Sequence, residues 1–197
     1  MEKEITWSID QRQSEIAFMV KHLMVTHVKG TFEKFDADIT TTGKDFTTAV
    51  IDLSIDVNSI TTGDLKRDEH LKDADFFDVK KHRQIEFRSN TIARADSKGN
   101  HDFWGELTIK GVSRAVRLSA QFGWSAVDPT GVERIGFTVN GSIKRSDWGL
   151  NWNSVLETGG LVLGDEVVIA CEIELINAST TRAGLSTALA SSSVNQL

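Results

Sequence analysis

"AVIDLSIDV", residues 49–57, decides the fold. Ala49, Ile51, Leu53, Ile55 and Val57 fall on one side of an extended chain, while Asp52, Ser54 and Asp56 fall on the other. Side chains of a strand alternate between its faces, so this period of two describes a strand with one face on a core and one in water. One-sided strands belong to antiparallel sheets, because strands of parallel sheets are covered on both faces.

The same alternation spreads outward from this segment. On the N-terminal side it appears at Ile16, Phe18 and Val20, then at Val28, Gly30 and Phe32. Phe35, Ala37 and Ile39 carry the opposite parity, which predicts a bulge near Lys34. On the C-terminal side it appears at Ile85 and Phe87; at Phe103, Leu107 and Ile109; and at Val116, Leu118, Ala120 and Phe122. It ends with Ile135, Phe137, Val139 and Ile143, then Val167, Ile169, Cys171, Ile173 and Leu175, so eight strands are predicted.

Turn chemistry falls between the runs: "DSKGN" at 96–100, "KG" at 110–111, and "DPTG" at 128–131, where Pro129 suits the second position of a type I turn. Helical signal is confined to "TGDLKRDEHLKDADFFD", residues 62–78. There Thr62 or Asp64 caps a short helix carrying Leu65 and Leu71, and Asp73 caps a second turn leading to Phe76 and Phe77.

Eight one-sided strands leave too much apolar surface and too many open edges for a flat sheet. Closure into a barrel removes the edges, and eight strands enclose an interior that side chains can fill or that one small ligand can occupy. Strands of about 10 residues are roughly 33 Å long, enough for an elongated tunnel. The expected fold is therefore all-β, an extended eight-stranded antiparallel barrel with a short helical insert, occupying residues 1–176. Residues 177–197, rich in Ser, Thr and Ala, read as a flexible tail outside the core.

Composition narrows the function. A chain of 197 residues suits one domain that buries roughly 70% of its unfolded surface. No apolar run approaches the roughly 20 residues that cross a bilayer, so an integral membrane protein is not expected. A net charge of −6 opposes the phosphate backbone, and no basic stripe interleaved with aromatics offsets it, so no nucleic-acid partner is expected. Cys171 is the single cysteine, which excludes an intramolecular disulfide and fits a reducing compartment. The N-terminus, "MEKEITWSID", lacks the apolar core of a signal peptide, so the chain as written is expected in the cytoplasm; removal of a signal would place it in the periplasm.

Few residues point to chemistry. The histidines are His22, His27, His70, His82 and His101, and the spacing of His22 and His27 matches neither a helical zinc pair nor alternate strand positions. No metal site and no cofactor are expected. There is no GxSxG elbow, and Cys171 on an inward strand face behaves as a small hydrophobe, so no catalytic residue is assigned. Asp73, Asp75 and Asp78 are explained by caps and a solvated helix face, and Gly159–Gly160 by a turn. "KHLMVTH", residues 21–27, reads as a connection with helical potential, Leu23 and Met24 facing the barrel mouth and His22 or His27 beside them as a polar partner.

Four ordered segments, "WSIDQRQSEIAFMVKHLMVTHVKGTF", "SITTGDLKRDEHLKDADFFDVKKHRQIEF", "GELTIKGVSRAVRL" and "RSDWGLNWNSVLETGGLVLGDEVVI", resemble the YceI-like family of polyisoprenoid-binding, lipocalin-like proteins. The resemblance covers roughly residues 5–176. It implies a lipocalin-like barrel whose pore holds a long isoprenoid such as a polyprenyl phosphate or quinone, with no family-wide catalytic residues. It also implies that Arg67, Asp68, His70, Leu71, Phe76, Phe77 and Asp78 of the insert, and Arg145, Asp147, Trp148 and Gly149 near the final hairpin, fix the insert or meet the ligand. Arg67 and Asp68 are expected to form an ordering ion pair.

Parity then names the pore wall: Phe18, Val20 and Phe32, then Leu53, Ile55 and Phe87, then Phe103, Leu107 and Leu118, and finally Phe122, Phe137 and Ile143. His22, Met24, Arg67, His70, Phe76, Phe77 and Trp148 complete the expected ligand-binding set. The expected function is a non-enzymatic carrier of an amphipathic isoprenoid lipid, with a homodimer allowed. The alternatives are an enzyme using His22 or His70 as general base, or a side-chain-filled barrel acting as an interaction protein.

Overall fold

The computed structural model describes residues 3–23, 25–155 and 162–179. Eleven strands and one α-helix are seen among these residues: β1 (Glu4–Ile9), β2 (Glu15–His22), β3 (Thr26–Phe32), β4 (Phe35–Thr42), β5 (Asp45–Asp56), β6 (Ile60–Thr61), α1 (Leu65–Lys72), β7 (Gln84–Ile92), β8 (Asn100–Ile109), β9 (Val112–Val127), β10 (Glu133–Lys144) and β11 (Leu163–Asn177).

The eleven pair as eight. β1 and β2 run in one direction along the same edge of β11, Ile9 opposite Leu175 and Ile16 opposite Cys171. β3 and β4 follow in the same way, pairing with β2 and β1. β5 and β6 pair in turn with β4 and β3. Three long strands are thus each broken once, and with β7 to β11 they form a meander in which every strand pairs with the next and β11 closes onto β1. The all-β, eight-stranded antiparallel barrel with a short helical insert is observed.

The break between β3 and β4 is the bulge that the parity change near Lys34 predicts. Glu33 and Lys34 leave the ladder and donate to the carbonyl (3.2 Å) and hydroxyl (2.9 Å) of Ser59. The predicted turns also form. Lys110 and Gly111 both have positive φ (52° and 73°), the signature of a two-residue I′ hairpin. Asp128 N–H donates to the Val132 carbonyl and its carboxylate accepts from Thr130 and Val132, which holds the "DPTG" turn.

Two expectations change. The described residues of "KHLMVTH" are not helical: Lys21 and His22 end β2, Thr26 and His27 begin β3, and Leu23 turns the chain at φ 51°. The Val20–Val28 and His22–Thr26 pairs carry the ladder to the turn, so cross-strand bonding overrides the local helical signal. Asn177, assigned to the tail by composition, is the last residue of β11, buried opposite Trp7 and donating to Glu133 at 3.2 Å. Residues 180–197 lie outside the described residues.

The strand directions give the barrel two unlike ends. One carries the Gly43–Lys44, 93–99 and 128–132 turns and is closed. Trp7 is fully buried there, its indole donating to Thr41 Oγ1 at 2.9 Å, with Phe46 packed on Trp7 (5.3 Å) and Phe137 on Phe46 (5.0 Å). The other end carries the β2–β3 turn, α1 with the segment to His82, and the β10–β11 connection.

Candidate functional site: a one-ended apolar cavity

The barrel encloses a cavity of about 650 Å³, within the range that holds one small-molecule ligand. Its walls are the inward faces of the strands. Many inward side chains, among them Ile51, Leu53, Leu118, Ile143 and Ile169, are only half-buried, because what they face is space and not one another.

Polar side chains reaching the cavity gather at one end: His22 from β2, Thr62 and Asp64 before α1, Lys66, Arg67 and His70 within it, and Arg145 after β10. His101 alone among the charged or imidazole side chains of the wall stands toward the closed end, its Nδ1 3.0 Å from the Ala93 carbonyl oxygen. The end bearing α1 is therefore the mouth.

Thr62, Asp64, Arg67, His70 and Arg145 are held by local bonds. Asp64 caps α1, its carboxylate accepting from the backbone N–H of Lys66 (3.0 Å) and Arg67 (3.1 Å), which holds its pKa below the ordinary carboxylate value. Arg67 and Asp68 do not pair with each other among the described residues. Both grip Thr62: Arg67 Nε donates to its hydroxyl (2.7 Å), and that hydroxyl donates to Asp68 Oδ1 (2.5 Å). His70 sits 3.1 Å from Asp75 Oδ2, its ring edge-on to Phe76 (5.2 Å) and Trp152 (4.7 Å).

Arg145 clamps the β10–β11 connection. Its guanidinium is buried and donates to the carbonyls of Gly164 (2.9 Å), Trp152 (2.9 Å) and Leu150. Burial pushes its pKa down from the ordinary arginine value, with Asp165 acting the other way.

Sixteen of the expected ligand-binding residues reach the cavity: Phe18, Val20, His22 and Phe32; Leu53, Ile55, Arg67 and His70; Phe76, Phe77, Phe87 and Phe103; Leu107, Leu118, Phe137 and Ile143. Met24 lies outside the described residues. Phe122 does not reach it. β8 begins opposite Gln121, so Phe122 lies where β9 outruns its neighbour; it is 50% exposed, its ring against Phe137 at 5.9 Å. Trp148 does not reach it either: it is buried in a 3-10 turn, its indole donating to the Leu107 carbonyl at 3.1 Å. His27 faces out beside Lys21 and is exposed.

Several wall residues escaped parity. Phe46 lies beyond a register shift between β4 and β5, which moves it onto the inward face. Trp152 and Val162 belong to a connection with no strand period. Among the described residues no group of three or more His, Cys, Asp or Glu side chains is placed to hold a metal ion, and no helix is long and apolar enough to cross a membrane.

The family model of the YceI-like domain matches residues 7–175. The UPF0312 protein SA2479 of Staphylococcus aureus is 34% identical over 169 residues, covering 85% of this chain and 95% of that protein. The crystal structure of BcnA from Burkholderia cenocepacia superposes with a TM-score of 0.72 at 25% identity, over 84% of this chain and 98% of that one. A polyisoprenoid binding domain from Saccharophagus degradans, implicated in plant cell wall breakdown, shares the fold with a TM-score of 0.62 at 17% identity, over 87% of this chain and 98% of that domain.

Proposed function

The chain belongs to the YceI-like domain family, and from that premise we propose that it is a non-enzymatic carrier that holds one long-chain isoprenoid lipid, a polyprenyl phosphate or an isoprenoid quinone, in its barrel. The observation that carries this reading is the cavity of about 650 Å³, apolar along its length and polar at one mouth. An apolar chain gains about 0.8 kcal/mol for each methylene it buries, so such a bore retains a lipid with few polar contacts. Because the polar groups stand at the mouth, an amphiphile enters tail first and leaves its head group beside His22, Arg67 and His70. The Saccharophagus degradans domain, described as polyisoprenoid binding, supports the choice of an isoprenoid over a straight acyl chain. Holding a lipid away from water without transforming it suits transport or storage.

Organic extraction of the purified folded protein, followed by mass spectrometry against a matched blank and an unrelated control protein, tests this. A stoichiometric polyprenyl or quinone species is expected. No enriched lipid, together with failure to take up added isoprenoid, would overturn the proposal.

A further inference from the structure

A long isoprenoid is nearly insoluble in water, so a carrier has to exchange it where membrane lipid resides. The mouth end bears the features such an encounter needs. Val25 (81% exposed) and Leu23 (41%) project from the β2–β3 turn, Leu65 (84%) opens α1, and Val155 (72%) lies in the β10–β11 connection. Isolated apolar residues on a surface need no explanation, but these four come from three separate segments and converge on one rim.

Contacts place them together. Leu23 N–H donates to the Val162 carbonyl (2.8 Å) and Val162 N–H to the Ser154 carbonyl (3.0 Å), next to Val155. Trp152 packs on His70 of α1, and the residues on both sides of Leu65 line the cavity. The rim also carries cations that an anionic surface can meet. Lys21 and Lys66 are exposed and have no carboxylate within ion-pairing distance among the described residues. Five of the six acids of the insert are engaged: Asp64 by the helix N-terminus, Asp68 by Thr62, Glu69 by Lys72, Asp75 by His70 and Asp78 by Lys81, while Asp73 is exposed. Asp10, Asp96, Asp128 and Glu133 stand at the closed end, where they would face away from a docked membrane.

We propose that the mouth end docks on an anionic bilayer surface, Val25, Leu65, Leu23 and Val155 entering the interface and Lys21 and Lys66 meeting lipid phosphate, so that the cavity opens directly onto membrane lipid. Apolar residues with flanking basic residues are the combination that holds a protein in the bilayer interface. This rests on the lipid-carrier proposal for its purpose and is tested apart from it.

The probe is sedimentation with vesicles of phosphatidylcholine and phosphatidylglycerol, 7:3, against phosphatidylcholine alone. The wild type is expected to pellet with the anionic vesicles, and the Val25→Asp/Leu65→Asp variant to bind at least tenfold more weakly, with unchanged circular dichroism because both side chains point into solvent. Lys66→Glu is expected to weaken binding at low salt and to matter little at high salt. Isoprenoid delivered in detergent bypasses the membrane, so the double variant should load normally by that route and at least tenfold more slowly from vesicles. Wild-type protein that loads from detergent but does not pellet with anionic vesicles would overturn docking and leave the carrier proposal standing. Failure to load by either route, with vesicle binding intact, would overturn the carrier proposal alone. A dimer in light scattering that the double variant dissolves would make the rim an interface between copies and overturn docking.

Discussion

Cys171 offers a direct measure of what occupies the bore. It lies midway along β11, opposite Val139 and Ile16, is 6% exposed, and lines the cavity. Burial pushes its thiol from the ordinary value of 9.0 up to about 11. Alkylation proceeds through the thiolate. At pH 8 a thiol titrating near 9 is about one-tenth ionised and one titrating near 11 about one-thousandth, so ionisation alone slows the folded protein about a hundredfold. A lipid lying along the wall beside Cys171 removes access as well.

The assay is time-resolved mass spectrometry of the iodoacetamide adduct at pH 8, on lipid-extracted, isoprenoid-loaded and guanidinium-unfolded protein. We expect the extracted form to react about a hundredfold more slowly than the unfolded chain, and the loaded form at least tenfold more slowly again. Between pH 8 and 10 the folded rate should rise about tenfold per unit, while the unfolded rate levels off above 9. The sign for stability follows from a raised pKa. The neutral thiol favours the folded state fully below pH 9, and that contribution is lost as pH rises from 9 toward 11. Equal rates in extracted and unfolded protein would refute the burial argument. Equal rates in extracted and loaded protein would show that the ligand does not pass Cys171.

Substitutions at three positions extend the test. Leu107→Arg sets a cation in the apolar wall and should abolish lipid retention; unchanged retention in a variant shown to be folded by circular dichroism would remove Leu107 from the site. Gly30→Ala puts a methyl where the Phe18 ring now lies, so it should cost about 1–3 kcal/mol and reduce isoprenoid capacity, read by denaturant titration and extraction. Arg145→Met strands the carbonyls of Leu150, Trp152 and Gly164 and should cost about 3 kcal/mol, lowering Tm by about 6–12 °C in calorimetry. Arg145→Lys should not rescue it, since one ammonium cannot reproduce the fork of a guanidinium.

The barrel was legible because a period of two reports an element and its face at once. Residues 49–57 announced β5, and the lost parity at Phe35 announced the break at Lys34. What parity could not report is where a strand stands relative to its neighbours. Phe122 has the inward parity of Leu118 and Ala120, but β8 begins opposite Gln121 and leaves Phe122 without a β8 partner, so the same face that lines the bore at Leu118 meets solvent at Phe122. Phe46 errs the other way, a register shift turning it inward. Trp148 sits in a family-like motif whose local bond to the Leu107 carbonyl explains its presence without a ligand. The mouth was the least legible part, since Trp152, Thr62 and Arg145 act through connections that carry no period.

Hollow and filled barrels share the same binary pattern, so what separates them here is the placement of inward glycines. Gly30, Gly105 and Gly141 lie on the inward face, and a Cβ at each would collide with the side chains of Phe18, Phe87 and Leu118 respectively. Each large side chain is thus laid flat over a neighbouring strand where no side chain stands, instead of reaching across the bore. Phe18 lies directly opposite Gly30, and Leu118 directly opposite Gly141, so the arrangement is set by register. A one-residue slip would turn both glycines outward and drive the ring of Phe18 into the space that the ligand needs. The bore is therefore kept open by cross-strand pairing of large residues with glycine, and Gly30→Ala, which leaves parity, charge and hydropathy almost unchanged, should narrow it where those sequence measures foresee no effect.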